Sequence, residues 1–230
     1  MAIITYKIED DRGGRLKAAT RTACNFWNSY LSPSHPIVIR VGTFWDDRNI
    51  IARAWEPYFN GPLQYGRVQF NRKFLRQYTD PEIAGTMAHE LGHTLGFGWN
   101  TWATLFEKAD GSFSEAAIEE LPALKDMLVE TDFGPGTRHS HWDEERFGAE
   151  LMTGIKDHFE HVLPVTIDVM GLLGHTVTQS LSEPRKLDDL LREAEGLLFS
   201  RRSEAKALDL DYFEVTTIEE EIAVSDDRSR

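Results

Sequence analysis

Residues Asp80 to Trp99, DPEIAGTMAHELGHTLGFGW, constrain this chain more than any other stretch, because His89, Glu90 and His93 fall in the spacing H-E-x-x-H. On a helix, histidines four residues apart project from one face and can grip a metal from two sides, with the glutamate alongside. The neighbouring residues predict that helix. Asp80 suits an N-cap, Pro81 the first helical position, and Glu82 the first turn, where negative charge meets exposed N–H groups. Ile83, Ala84, Met87, Ala88, Leu91 and Leu95 form an apolar stripe, so one side is expected to be buried while another carries chemistry. Gly96 ends the helix, where a left-handed turn is cheap for glycine, and Gly98 follows.

Alone, the pentapeptide competes with a plainer reading, two histidines on a polar helix face. Gly96 favours the metal, because one group of zinc peptidases turns its chain there to bring in a third ligand. The commonest version places that histidine three residues further on, where this chain has Trp99. Another ligand has to come from downstream, where His139-Ser140-His141-Trp142 is followed by Glu150-Leu151-Met152-Thr153-Gly154. With HELGHTLGFG, SHW and ELMTG in this order, the chain resembles the leishmanolysin-like metzincins, in which an insertion separates the third histidine from the helix and a methionine-containing turn follows. The resemblance implies His89, His93 and His141 as ligands of one catalytic Zn2+, with His139 as the alternative third ligand. It implies Glu90 as general base and Met152 as an apolar floor that is not a ligand. The chain departs from the family in having only 47 residues, 94 to 140, between the second and third histidines, and in lacking cysteine-rich parts.

The 230 residues suit one domain with a tail, and 41% hydrophobic residues can supply a sizeable core. A net charge of −13 argues against nucleic acid and anionic membrane surfaces, which demand basic patches. The single cysteine, Cys24, permits no internal disulfide and is expected to be a small core residue. No apolar run is long enough to span a membrane, and no leader is recognisable. The expectation is a cytoplasmic protein as written, or a secreted one if a leader has been removed.

Ile3 to Ile8 alternates as a strand does, Arg15 to Leu31 has helical apolar spacing, and Ile37 to Val41 reads as a short buried strand. Phe44, Trp45, Trp55 and Tyr58 fall in a stretch without clean periodicity and are assigned to packing. Tyr65 to Asn71 reads as a strand, and the resemblance implies that it is the sheet edge beside the cleft, where an extended substrate pairs with backbone groups. Phe113 to Glu130 is expected to be helical. The region from Ile155 to Val177 is implied to wall the pocket for the residue after the cleaved bond, and Ile167 to Leu173 is expected to be helical. His158 and His161 are read as a solvated face rather than a second metal site. Leu187 to Leu198 gives a short amphipathic helix, and the acidic end, with Glu219 to Glu221, is expected to be mobile.

The fold expected is therefore α+β: a metzincin-like catalytic domain with a twisted mixed sheet, a long N-terminal helix, an active-site helix and a mostly helical C-terminal part. Its limits are set at residues 1–178, divided into 1–98, an insertion at 99–138 and a lower part at 139–178, with 179–230 as C-terminal helix and tail. The activity implied is that of a zinc-dependent endopeptidase acting on a peptide or protein substrate as a monomer, with Glu90 taking a proton from a zinc-activated water. One rival completes the metal site with Glu115, Glu119 or Glu120, as in thermolysin-like peptidases. Another is a catalytically inactive metzincin-fold zinc-binding interaction module. An intact Glu90 speaks against the latter, since a structural zinc site needs no base.

Overall fold

A computed structural model describes residues 3–11 and 13–196. The fold is mixed α+β. Strand β1 (Ile4–Ile8) leads into helix α1 (Arg15–Tyr30), whose buried positions Leu16, Ala19, Ala23, Phe26, Trp27 and Tyr30 follow the expected stripe. A two-residue strand β2 (Leu31–Ser32) precedes β3 (Ile37–Phe44), β4 (Ala52–Asn60) and β5 (Leu63–Asn71). The four longer strands form a sheet in the order β1-β3-β5-β4, parallel except for β4. Ile37, Ile39 and Val41 of β3 are fully buried, as a central parallel strand requires.

One expectation about this half is corrected. Strand β5 is paired on both sides, so it is not the sheet edge; that place belongs to β4, which had shown no periodicity in the sequence. The register of β4 against β5 shifts between Trp55 and Tyr58, and Arg53 and Arg67 flank the Trp55 ring at 4.8 Å each. A bulged edge strand with charged groups over its aromatics does not alternate cleanly.

A one-turn helix α2 (Arg72–Leu75) connects β5 to α3 (Asp80–Thr94), the helix that carries His89 and His93. The N-cap of α3 is Thr79 rather than Asp80: Thr79 accepts from the Glu82 N–H, and Glu82 reaches back to the Thr79 N–H at 2.7 Å, closing a capping box. Arg15 clamps the preceding loop by donating to Asp80, Leu75 O and Tyr78 O at 2.6–2.7 Å. The Trp27 indole N–H donates to Ala88 O at 2.8 Å, locking α1 to α3. Ile83, Met87 and Leu91 are fully buried, each worth about 1.5–3 kcal/mol relative to exposure.

Beyond α3 regular structure thins out. The expected helix over Phe113–Glu130 is only α4 (Glu115–Glu120), followed by a 3-10 turn at Pro122–Asp126, because Pro122 cannot continue the hydrogen-bond ladder. Helices α5 (Glu144–Phe147), α6 (Pro164–Asp168) and α7 (Leu187–Gly196) are interspersed with two-residue strands β6 (His161–Val162), β7 (Thr176–Val177) and β8 (Arg185–Lys186). The described C-terminal part is thus mostly irregular rather than mostly helical, and Ile167 to Leu173 is split between α6 and a 3-10 turn. What replaces helix is an aromatic nucleus in which Phe97 stacks on Trp102 at 3.9 Å and Trp142 meets both rings at 5.1 Å. Helix α7 packs against α1. Leu198 and the acidic end lie outside the described residues. No helix among the described residues is long and apolar enough to cross a membrane.

Candidate metal centre

Helix α3 presents His89 and His93 one turn apart, and the chain turns away at Gly96, whose φ of +114° is open to glycine and strained for other residues. The third histidine arrives on the loop before α5. The Nε2 atoms of His89, His93 and His141 lie 3.1, 3.2 and 3.2 Å apart, and these three residues form the metal-capable cluster found among the described residues. They lie close enough to bind a metal ion.

Each Nδ1 faces a backbone carbonyl: His89 that of Leu151 at 2.7 Å, His93 that of Phe97 at 2.9 Å, His141 that of Thr137 at 3.0 Å. A carbonyl only accepts, so each Nδ1 carries the proton and each neutral ring presents a bare Nε2 lone pair. Burial holds all three rings below the usual histidine range, to about 3 for His89 and about 4 for His93, and His141 well below it, with neighbouring imidazoles adding to the effect on His89 and His141. Three acceptors converge with no donor between them, which is unfavourable until a cation sits at their focus. Three corners of a tetrahedron with metal–nitrogen bonds of about 2.0–2.1 Å lie about 3.3 Å apart, so the observed triangle fits such an ion. The three carbonyls are the outer partners that fix ring orientation.

Glu90 is 4% exposed and lines the same cleft as His89 and His141. Its Oε2 is buried without a hydrogen-bond partner, and burial pushes the carboxyl up to about 8. It is not part of the metal-capable cluster. Met152 lies against the middle of the H-E-x-x-H turn: a Cβ added at Gly92 would stand 2.7 Å from its sulfur. Glycine at position 92 is therefore what lets the thioether pack against this turn of α3.

A second glutamate, which sequence reasoning did not single out, holds this turn in shape. Glu150 is 1% exposed and accepts from the Met152 N–H at 2.6 Å, the Leu163 N–H at 3.1 Å and the Thr166 hydroxyl at 2.6 Å. The Trp142 indole N–H donates in turn to Thr166 at 2.9 Å. Burial raises Glu150 to about 7 despite these donors.

His139 stands apart from the triad, in a left-handed conformation with φ of 65° and its Nε2 3.1 Å from Lys108 O. Glu115, Glu119 and Glu120 are exposed on α4 and outside the cluster. His158 is exposed beside Glu82 at 3.3 Å and His161 sits in β6, and neither belongs to the metal-capable cluster found among the described residues. Cys24 is buried and its thiol is pushed up by burial, as befits a core residue. No family model matches the chain, and no curated protein matches it.

Proposed function

We propose that this chain is a zinc-dependent endopeptidase of the leishmanolysin-like metzincin kind, with His89, His93 and His141 as zinc ligands, Glu90 as general base and Met152 as the apolar floor. The observation that carries this reading is the pairing of three converging lone pairs with one buried, unpartnered carboxylate oxygen in a single cleft. Neutral nitrogen ligands suit zinc, and three rather than four protein ligands are the pattern of a catalytic site. When bound, zinc supplies a Lewis acid that acidifies water and polarises a carbonyl.

The chain's own residues then have separate tasks. Glu90 Oε2, with no competing donor, takes a proton from the attacking water as its oxygen joins the carbonyl carbon. Burial alone raises this carboxyl, and a cation at the imidazole triad would favour its ionised form, the form that accepts a proton. As the carbon–nitrogen bond breaks, Glu90 returns the proton to the leaving amine. The edge strand β4, whose first residue Ala52 lines the cleft beside Asn49, Ile50 and Ile51, offers the backbone groups of its free edge to an extended peptide.

The test is incubation of the purified protein with a mixed peptide library, with zinc or with a chelator, beside Glu90→Gln. Cleavage that needs metal and vanishes in the variant supports the proposal. Absence of metal-dependent cleavage under any condition would favour a zinc-binding interaction module instead.

A further inference from the structure

Lys156 and Glu160 form an ion pair whose side chains are only 13% and 8% exposed. Both line the cleft that holds His89, Glu90 and Thr86. The pair rests directly on the active-site helix: a Cβ added at Gly85 would meet Glu160 Oε2 and Lys156 Nζ at 3.0 Å, and Leu187 of α7 at 3.2 Å. It therefore fills the junction of α3, the loop of residues 154–160 and α7, about one helical turn from His89. Among the described residues the two side chains bond to each other, leaving two ammonium N–H groups and a second carboxylate oxygen to serve a ligand.

We propose that the Lys156–Glu160 pair is a specificity-determining wall of the cleft, selecting short hydroxyl or carboxamide side chains, those of Ser, Thr and Asn, beside the cleaved bond. This deepens the endopeptidase reading and rests on it. A hydroxyl or carboxamide is donor and acceptor at once, so it can bond the carboxylate and the ammonium together. A Leu or Phe side chain reaching the same place strips water from the pair and returns no hydrogen bond, which is costly for buried charge. Pockets with buried polar groups discriminate strongly against ligands that leave them unpaired.

The experiment uses the full zinc-loaded chain and peptides varied among Ser, Thr, Asn, Leu and Phe at each residue flanking the cleaved bond. Cleavage rates are read beside affinities for the same peptides with a metal-chelating hydroxamate replacing that bond. Ser, Thr or Asn at one flank is expected to be favoured over Leu and Phe about tenfold or more in both readouts. The double variant Lys156→Met/Glu160→Leu, which leaves no unpaired charge, is expected to reverse that order. Preference of the wild type for Leu or Phe, or an unchanged order in the double variant, overturns the proposal. So does a Lys156→Met variant that slows all peptides equally, since Lys156 would then act on the reaction and not on selection. Should the double variant fail to fold, Glu160→Gln keeps the shape, and it must weaken the polar preference several-fold. Selective binding without cleavage contradicts the endopeptidase reading alone, whereas neither binding nor cleavage removes both.

Discussion

His89 and His93 reach the candidate metal centre by one route and His141 by another. The first two ride a fifteen-residue helix whose backbone satisfies itself and whose start is fixed by a capping box and the Arg15 clamp. Their separation is a consequence of 3.6 residues per turn. His141 rides a segment with almost no regular structure, and there side chains must do what a helix does for itself. Glu130, 1% exposed, accepts from the N–H groups of Asp132, Phe133 and Glu144, and Trp102 donates to His139 O at 2.9 Å. The same contrast separates two buried glutamates. Glu90 on the helix keeps an oxygen free and faces the cleft; Glu150 in the loop half is saturated with donors. On the proposed reading one serves chemistry and the other architecture, and only their partners tell them apart.

That contrast can be broken by experiment. Glu90→Gln is expected to lower peptide hydrolysis by about a thousandfold, with metal content unchanged, because an amide cannot take the proton. Glu150→Ala is expected to cost about 3–5 kcal/mol in denaturant unfolding, since it orphans three donors, while Glu90→Ala costs little. Equal destabilisation by the two would erase the distinction drawn here. Metal removal is expected to lower stability by about 2–4 kcal/mol when zinc is well above its dissociation constant, and hydrogen exchange should rise in residues 130–153 before it rises in α3.

Acid should act through the triad. Burial holds His89 and His93 down at about 3 and about 4, so in the metal-free chain these rings bind fewer protons when folded than when unfolded below about 6.5. The contribution of the triad to the stability of the metal-free protein is therefore full above that pH and is lost as pH falls toward 4, so the acid limb should be shallower in His141→Ala. The smallest effect belongs to the helix start: Thr79→Ala should cost about 1 kcal/mol by removing the cap. A larger loss would mean that α3 depends on its first turn more than on its buried stripe.

These regions also differ in what the sequence alone could reveal. Helix α3 was legible because periodicity, caps and a glycine stop all point the same way, and even the one-residue error at its start is explained by Thr79 and Glu82 standing at capping-box spacing. Strand β4 was not legible, since its bulge and its arginine-flanked Trp55 hide the alternation that marks a strand. The apolar residues from Phe113 to Leu128 have helical spacing but serve an aromatic loop core, where isolated bridges such as Phe106 with Phe113 replace helix. His141 could be singled out only through the neighbouring Trp142 and the methionine turn. Nothing local marks Glu150 or the Lys156–Glu160 pair, whose roles arise from segments far apart in the chain.

Zinc titration of the metal-free wild type, His141→Ala and Glu90→Gln tests the central claim most directly. Wild type and Glu90→Gln are predicted to bind one ion per chain with similar affinity, and His141→Ala to bind at least a hundredfold more weakly, consistent with loss of one of three ligands. Undiminished binding by His141→Ala, or loss of the ion in Glu90→Gln, would contradict a centre built from three imidazoles with a free carboxylate beside them.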